Sequence, residues 1–211
     1  MQELRPGLWR WTAYYPEWKQ DVGCVYLEAP DAVVLIDPLV PADGAEAKRF
    51  WKALDRDVRR AAAPVHVLIT VFWHARSSHE IVERYGARLW SHPGQRRRIA
   101  NRVGEPSDVF EIGDRLPAGV KALETGRSGE VVFWLPRHRA LVTGDVLLGS
   151  PLRLCPKSWL PRGLTREQLA DNLRPLLDLP VVRVIVSHGD PVLAKGHAEL
   201  EQVLAQAPSA A

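Results

Sequence analysis

The sequence is poor in several features, and each absence narrows what the protein can be. It has two cysteines, Cys24 and Cys155, far apart and in no CxxC or zinc-finger spacing. That argues against a disulfide framework and for two free thiols in a reducing cytoplasm. No apolar run approaches the ~20 residues that a membrane span needs. The opening MQELRPGLWRW has no basic stretch followed by an apolar one, so no secretion signal is read. A cytoplasmic protein with no membrane partner is expected. No Gly-rich phosphate loop occurs, no repeat stands out beyond a weak likeness of the two halves, and the formal charge is only +3. One dense basic run exists, GQRRRIANR at 94–102, and it reads as the solvated face of a short helix. No known motif or interleaved aromatic supports a nucleic-acid partner.

What is present suits one domain spanning 1–211 with a full hydrophobic core. GLWRWTAYY, GCVYLEA and AVVLID read as strands in succession, with PDA as a tight turn between the last two. ADGAEAKRFWKALDRDVRR has apolar residues at helical spacing, with Asp43 as N-cap. Next come a buried strand, VHVLIT, and a helix, SSHEIVERY, closed by Gly86. A strand, ARLWSH, follows, then the short basic helix ended by Gly104. DVFEIGD, VKALET, EVVFWLP and RALVTGD read as four more strands. A Pro-rich loop at 150–163, taken as a surface lid, leads to a helix from Thr165 (TREQLADNLRPLLDL), the strand VVRVIVSHGDP and a last helix, GHAELEQVLAQA. Periodicity supports an α/β protein with two mixed sheets and helices outside. A homodimer is compatible with all of this.

The order AVVLIDP, VLIT, ETGRSGEVVFWLP, RALVTGDVLLG and VIVSHGDP resembles the metallo-β-lactamase superfamily over roughly residues 5–207. LVTGDVLLG and VSHGDPV are the most specific parts. The resemblance implies a four-layer αβ/βα sandwich with a cleft at one edge between two mixed sheets. It also implies hydrolase-like chemistry at one or two metal ions held by imidazoles and carboxylates.

Position by position, the ligand set is depleted. Thr70 stands where the family's THxHxDH turn begins, but the ligand positions hold Val71, Trp73, Ala75 and Arg76, and Arg127 stands for the third His. Asp145 and His188 match the bridging carboxylate and the last His. Val and Ala cannot donate to a metal, Trp has no usable lone pair, and Arg keeps its proton. The resemblance therefore implies that the usual dinuclear site is lost and no metal cofactor is expected. A single ion held by Asp145, His188 and His74 is the fallback.

Two positions have become Arg, which suggests that Arg76 and Arg127 replace metal charge beside Asp145, by reaching it or by leaving a fork free for an anion. On that reading His188 is a general base oriented by Asp145, acting on a small anionic ester, lactone or related molecule. The alternative is a non-catalytic binding or regulatory protein on the same fold, a pseudoenzyme holding an anionic ligand, with Arg76, Asp145 and Arg127 as a structural ion network. Tyr15, Trp18, Trp73, His74 and Trp159 are the candidate ligand-binding residues, an apolar roof over an Arg-lined floor. His74 is one residue out of register with a ligand position and could equally be a packed residue. His79 is expected at a helix start in solvent. Asp37 is read as structural support for the ligand turn.

Overall fold

The computed structural model describes residues 1–149 and 151–206. The expected lid at 150–163 therefore begins outside the described residues, and the expected end of the last helix, position 207, lies outside them too.

The chain first builds β1 (Gln2–Arg5), β2 (Leu8–Tyr15), β3 (Gln20–Ala29) and β4 (Ala32–Ile36) as an antiparallel meander. Helix α1 (Gly44–Ala61) then crosses over to β5 (Val65–Leu68), which lies parallel to β4. After a 3-10 turn at Phe72–His74 come α2 (Ser78–Tyr85), β6 (Arg88–Ser91), α3 (Arg96–Val103) and the short β7 (Asp108–Val109). The result is one mixed seven-stranded sheet in the order β1 to β7. The second half forms β8 (Lys121–Glu124), β9 (Val131–Leu135) and β10 (Ala140–Thr143), then a two-stranded ribbon of β11 (Leu147–Leu148) and β12 (Arg153–Leu154). Helix α4 (Arg166–Leu173), β13 (Arg183–Val186) and α5 (Gly196–Ala205) complete it. The four-stranded sheet runs β13-β10-β9-β8, with β13 parallel to β10.

Alternation along each strand explains the layering. In β3, Val25, Leu27 and Ala29 face the second sheet, while Val22, Cys24 and Tyr26 face α1, α2 and α3. In β9, Val131, Phe133 and Leu135 meet them from the other side, while Val132 and Trp134 face α4 and α5. Both faces of the central strands are buried, which is why AVVLI and VVFWL read as unbroken apolar runs. The architecture is the αβ/βα sandwich.

The helix signals operate as sequence chemistry demands. The Asp43 side chain accepts from the backbone N–H groups of Ala45 and Glu46 at 3.0 and 2.9 Å, and Thr165 forms a capping box with Gln168. Gly86 closes α2 at φ 60°. Two expected elements are shorter than read. The helix after Thr165 stops at Leu173 and continues as a 3-10 turn over Arg174–Asp178, because Pro175 has no N–H to continue the α ladder. DVFEIGD is strand only at Asp108–Val109; the Asp114 carboxylate then accepts from Glu111 N–H and turns the chain.

Asp55 of α1 fastens that helix to α2. It accepts from Arg84 Nε and Nη2 at 2.8 and 2.7 Å and from the Tyr85 hydroxyl at 2.7 Å. Those bonds from Arg84 hold the carboxyl down to about 2, against the smaller opposing effect of burial. A carboxyl depressed in the folded state stabilises above its unfolded pKa, and the benefit disappears as pH falls toward 2. Arg84 is 43% exposed, so screening reduces the effect to about 1 kcal/mol. Asp55→Asn is expected to be less stable than wild type at pH 7, with the gap in urea midpoint narrowing by pH 3. A gap that stays constant between those pH values would rule this out.

Candidate functional site

Four strands that run parallel in pairs end at one edge of the sandwich, and the loops after their carboxyl ends carry the site. Asp37 follows β4, residues 70–76 follow β5, Asp145 follows β10, and Ser187 and His188 follow β13. Such ends are where backbone leaves the hydrogen-bond ladder and side chains can converge. Close packing fixes the glycines here. A Cβ on Gly144 would lie 2.7 Å from Glu130 Oε1 and 2.8 Å from Thr70 Oγ1, so the T-G-D turn has no room for a side chain. Gly189, at φ 85°, turns the chain after His188 in a conformation that L residues rarely adopt.

His74 is fully buried and faces the site, because the 3-10 turn winds residue 74 inward. Its Nδ1 lies 2.9 Å from Asp37 Oδ2 and its Nε2 lies 3.2 Å from Asp145 Oδ1. His188 Nε2 stands 3.1 Å from the same Asp145 Oδ1. The two approaches to Asp145 Oδ1 are at ion-pair distance but misaligned as hydrogen bonds, so among the described residues His74 Nε2 and Asp145 Oδ1 are buried without a hydrogen-bond partner. The Trp73 indole N–H occupies the other Asp145 oxygen at 2.7 Å. Thr70 donates from N–H and hydroxyl to Asp37, which fixes the carboxylate behind His74.

Burial works against ionising Asp145, but the His74 and His188 imidazoles outweigh it and hold the carboxyl well below its ordinary range. Burial and Arg76 work against charging His74. Asp145 and Asp37 outweigh them and raise the imidazole's pKa.

Neither expected arginine meets Asp145. The Arg127 Nη1 donates to Glu130 Oε2 at 2.6 Å and its Nη2 to the Trp159 carbonyl at 2.8 Å, while its guanidinium lies over the Trp73 ring. Arg76 donates to the Ser187 hydroxyl at 2.8 Å, the Asp37 carbonyl at 3.1 Å and the Gly23 carbonyl at 3.4 Å. Their forks are used internally. For Arg127 the physical reason is Glu130, a buried carboxylate that sequence reading missed. Its Oε1 accepts from the backbone N–H of Asp145 at 2.6 Å and of Val146 at 2.9 Å. Burial pushes it up to about 7 against the pull of Arg127. A charged residue one position before the apolar run VVFWL was the available signal.

The cleft above Asp145 and His188 measures about 290 Å³ and is lined by Trp18, Gln20, Arg127, Asp145, Trp159 and His188. Trp18 packs 5.8 Å from both imidazoles, and Trp159 lies 6.0 Å from His188. Tyr15 stands edge-on to Trp18 at 5.0 Å, behind the cleft wall. His79 is in solvent beside Glu83. A larger hollow, about 410 Å³, lies between β2 and α1 on the outer face, away from these groups. Burial pushes both thiols, Cys24 and Cys155, up to about 11, so neither is a nucleophile near neutrality.

The ligand atoms of His74, Asp145 and His188 lie within 4.8 Å of one another. Two imidazole nitrogens and one carboxylate oxygen, with orphaned donor atoms and an open cleft above, fit a single cation with a free coordination position. The Asp37 carboxylate behind His74 is the kind of support that fixes a ligating imidazole's tautomer.

A family model described as the metallo-beta-lactamase superfamily matches residues 21–188. Among solved structures, a metallo-beta-lactamase family protein from Thermus thermophilus is similar at TM-score 0.68 and 19% identity, over 97% of this chain and 80% of that one. The metallo-beta-lactamase from Pontibacter korlensis gives 0.71 at 16% identity, over 97% of both chains. That from Erythrobacter litoralis gives 0.70 at 13%, over 97% and 95%. At such identities the likeness concerns the fold alone. No curated protein matches the sequence.

Proposed function

Because the chain belongs to the metallo-β-lactamase superfamily, we propose that it is a hydrolase of that fold, acting on a small anionic ester, lactone or related molecule at a one-metal centre. The observation that carries this reading is the convergence of His74 Nε2, His188 Nε2 and Asp145 Oδ1 at the cleft floor. The dinuclear ligand set is absent at the Thr70 turn, and Arg76 and Arg127 supply positive charge nearby without touching Asp145.

When bound, a divalent ion there would lower the pKa of a water and polarise a carbonyl oxygen. The chain's own residues prepare the place. Asp37 holds the Nδ1 proton of His74 and leaves Nε2 as the free lone pair. Trp73 ties one Asp145 oxygen and presents the other. Trp18 and Trp159 wall His188 with apolar surface, which thins water around it and strengthens charge interactions. Glu130 holds the backbone of Asp145 and Val146, and so fixes the carboxylate's position.

A second reading has one observation in its favour. Asp37, His74 and Asp145 already form a carboxylate–imidazole–carboxylate chain, which a protonated His74 would satisfy without metal. The protein would then be a pseudoenzyme that binds an anionic ligand.

Elemental analysis after purification without chelator, followed by challenge with zinc, iron and manganese, separates the two. The hydrolase reading expects near one metal per chain and turnover of an ester, lactone, thioester or phosphoester that a chelator abolishes. No bound metal after challenge and no turnover would leave the binding reading.

A further inference from the structure

An anionic substrate needs guanidinium N–H groups that are free and accessible to receive it; Arg76 and Arg127 have both Nη groups committed inside the protein, and the unpartnered Arg76 Nε is buried. The opposite is true on α3. Arg98 and Arg102 are exposed, and four residues apart on a helix they share one face. Both guanidiniums lie over the same ring, Phe72, at 4.9 and 5.5 Å from its centroid. Among the described residues neither has a carboxylate partner, whereas the neighbouring Arg96 is paired with Glu105.

This basic face is fastened to the site. Gln95, buried just before α3, accepts from the Phe72 N–H and donates to the Thr70 carbonyl, so the helix start is joined to the turn that carries His74. Phe72 in turn packs edge-on to Trp73 at 4.7 Å, and Trp73 bonds Asp145. The field of Arg102 reaches Tyr15 as well. Burial and Glu17 raise the Tyr15 phenol's pKa, while Arg102 and Arg76 pull against them. From α3 to the cleft runs a chain of stacked groups: Arg98 and Arg102, Phe72, Trp73 and the buried Arg127. The basic and aromatic residues that are separate in the sequence are interleaved in space.

The geometry points to a second subsite in which Arg98 and Arg102 together hold a terminal oxyanion of the substrate, with its apolar linker along Phe72 and Trp73 and its scissile bond over Asp145 and His188. This rests on the hydrolase reading and names the chemistry of the substrate: an ester or lactone whose far end is a phosphate or a carboxylate.

Kinetics on the metal-loaded protein test it, with 4-nitrophenyl esters of matched length ending in a methyl group, a carboxylate or a phosphate. The double variant Arg98→Gln/Arg102→Gln is compared with wild type and with Arg115→Gln/Arg137→Gln, an equal charge loss at exposed positions elsewhere. Wild type is expected to prefer an anionic ester. The preference in kcat/KM should fall about tenfold or more in the α3 variant, chiefly through KM, and persist in the control. Carboxylate and phosphate arms show which end group the subsite takes. Equal losses on neutral and anionic esters, or the same loss in the control, would overturn the subsite. If wild type turns over no ester, lactone, thioester or phosphoester, the hydrolase reading fails on its own. Calorimetry with phenyl phosphate and phenylacetate then decides the subsite: weaker binding in the α3 variant than in the control upholds it, and equal binding ends it.

Discussion

Arg127→Ala is expected to lose about 3–5 kcal/mol of folding stability, the cost of removing one partner from a buried ion pair. The Arg127 side chain is 5% exposed and that of Glu130 is fully buried, with 2.6 Å between them. Without the guanidinium, Glu130 keeps its two bonds from the Asp145 and Val146 backbone but faces Asp145 with no cation between. Its carboxyl already sits up at about 7, so protonation near neutrality offsets part of the loss. The double variant Arg127→Met/Glu130→Gln should recover much of it, because a neutral side chain of the same shape needs no counter-charge. Urea unfolding at pH 8, where Glu130 is more fully ionised, gives the clearest reading. Should Arg127→Ala lie within about 1 kcal/mol of wild type there, the pair is not what holds this loop.

His74→Ala carries the other large expectation, on function. Removing one of three convergent donors is expected to lower bound metal well below one per chain. It is also expected to cut kcat/KM on the order of 10³-fold, since a metal ion supplies several kcal/mol of transition-state stabilisation. Asp37→Asn acts through His74 and should cost less, roughly 10- to 100-fold in metal affinity. The graded pair separates a ligand from its support. If His74→Ala keeps full metal content and full turnover, the cation is not held here.

The large-scale fold was legible because it rests on strand and glycine patterns that backbone packing demands. LVTGDVLLG needs its glycine for close approach to Glu130 and Thr70, and SHGDP needs one for the turn after His188. Neither demand depends on metal. Asp145 and His188 could be located for the same reason. The environment of Arg127 could not, because Glu130 shows itself only when β9 is placed beside β10 and its first turn folds inward. His74 was ambiguous because a one-residue difference in winding decides whether position 73 or 74 points to the cleft. A 3-10 turn settles that, and no periodicity marks a three-residue turn in advance. The run at 94–102 reads in sequence only as a solvated face, since its aromatic partner, Phe72, is more than twenty residues away along the chain.

Hydrogen bonds from Arg76 tie the loop after β4, the strand β3 and the loop after β13 into one frame. A guanidinium's planar fork suits it to hold several acceptors at once. A rivet made by a bound ion holds only while the ion is present. Here the rivet is covalent to the chain. The centre should keep its shape with or without an ion, so that an ion arriving or leaving changes the charge in the cleft without rebuilding it: preorganisation supplied by the polypeptide in place of the cargo.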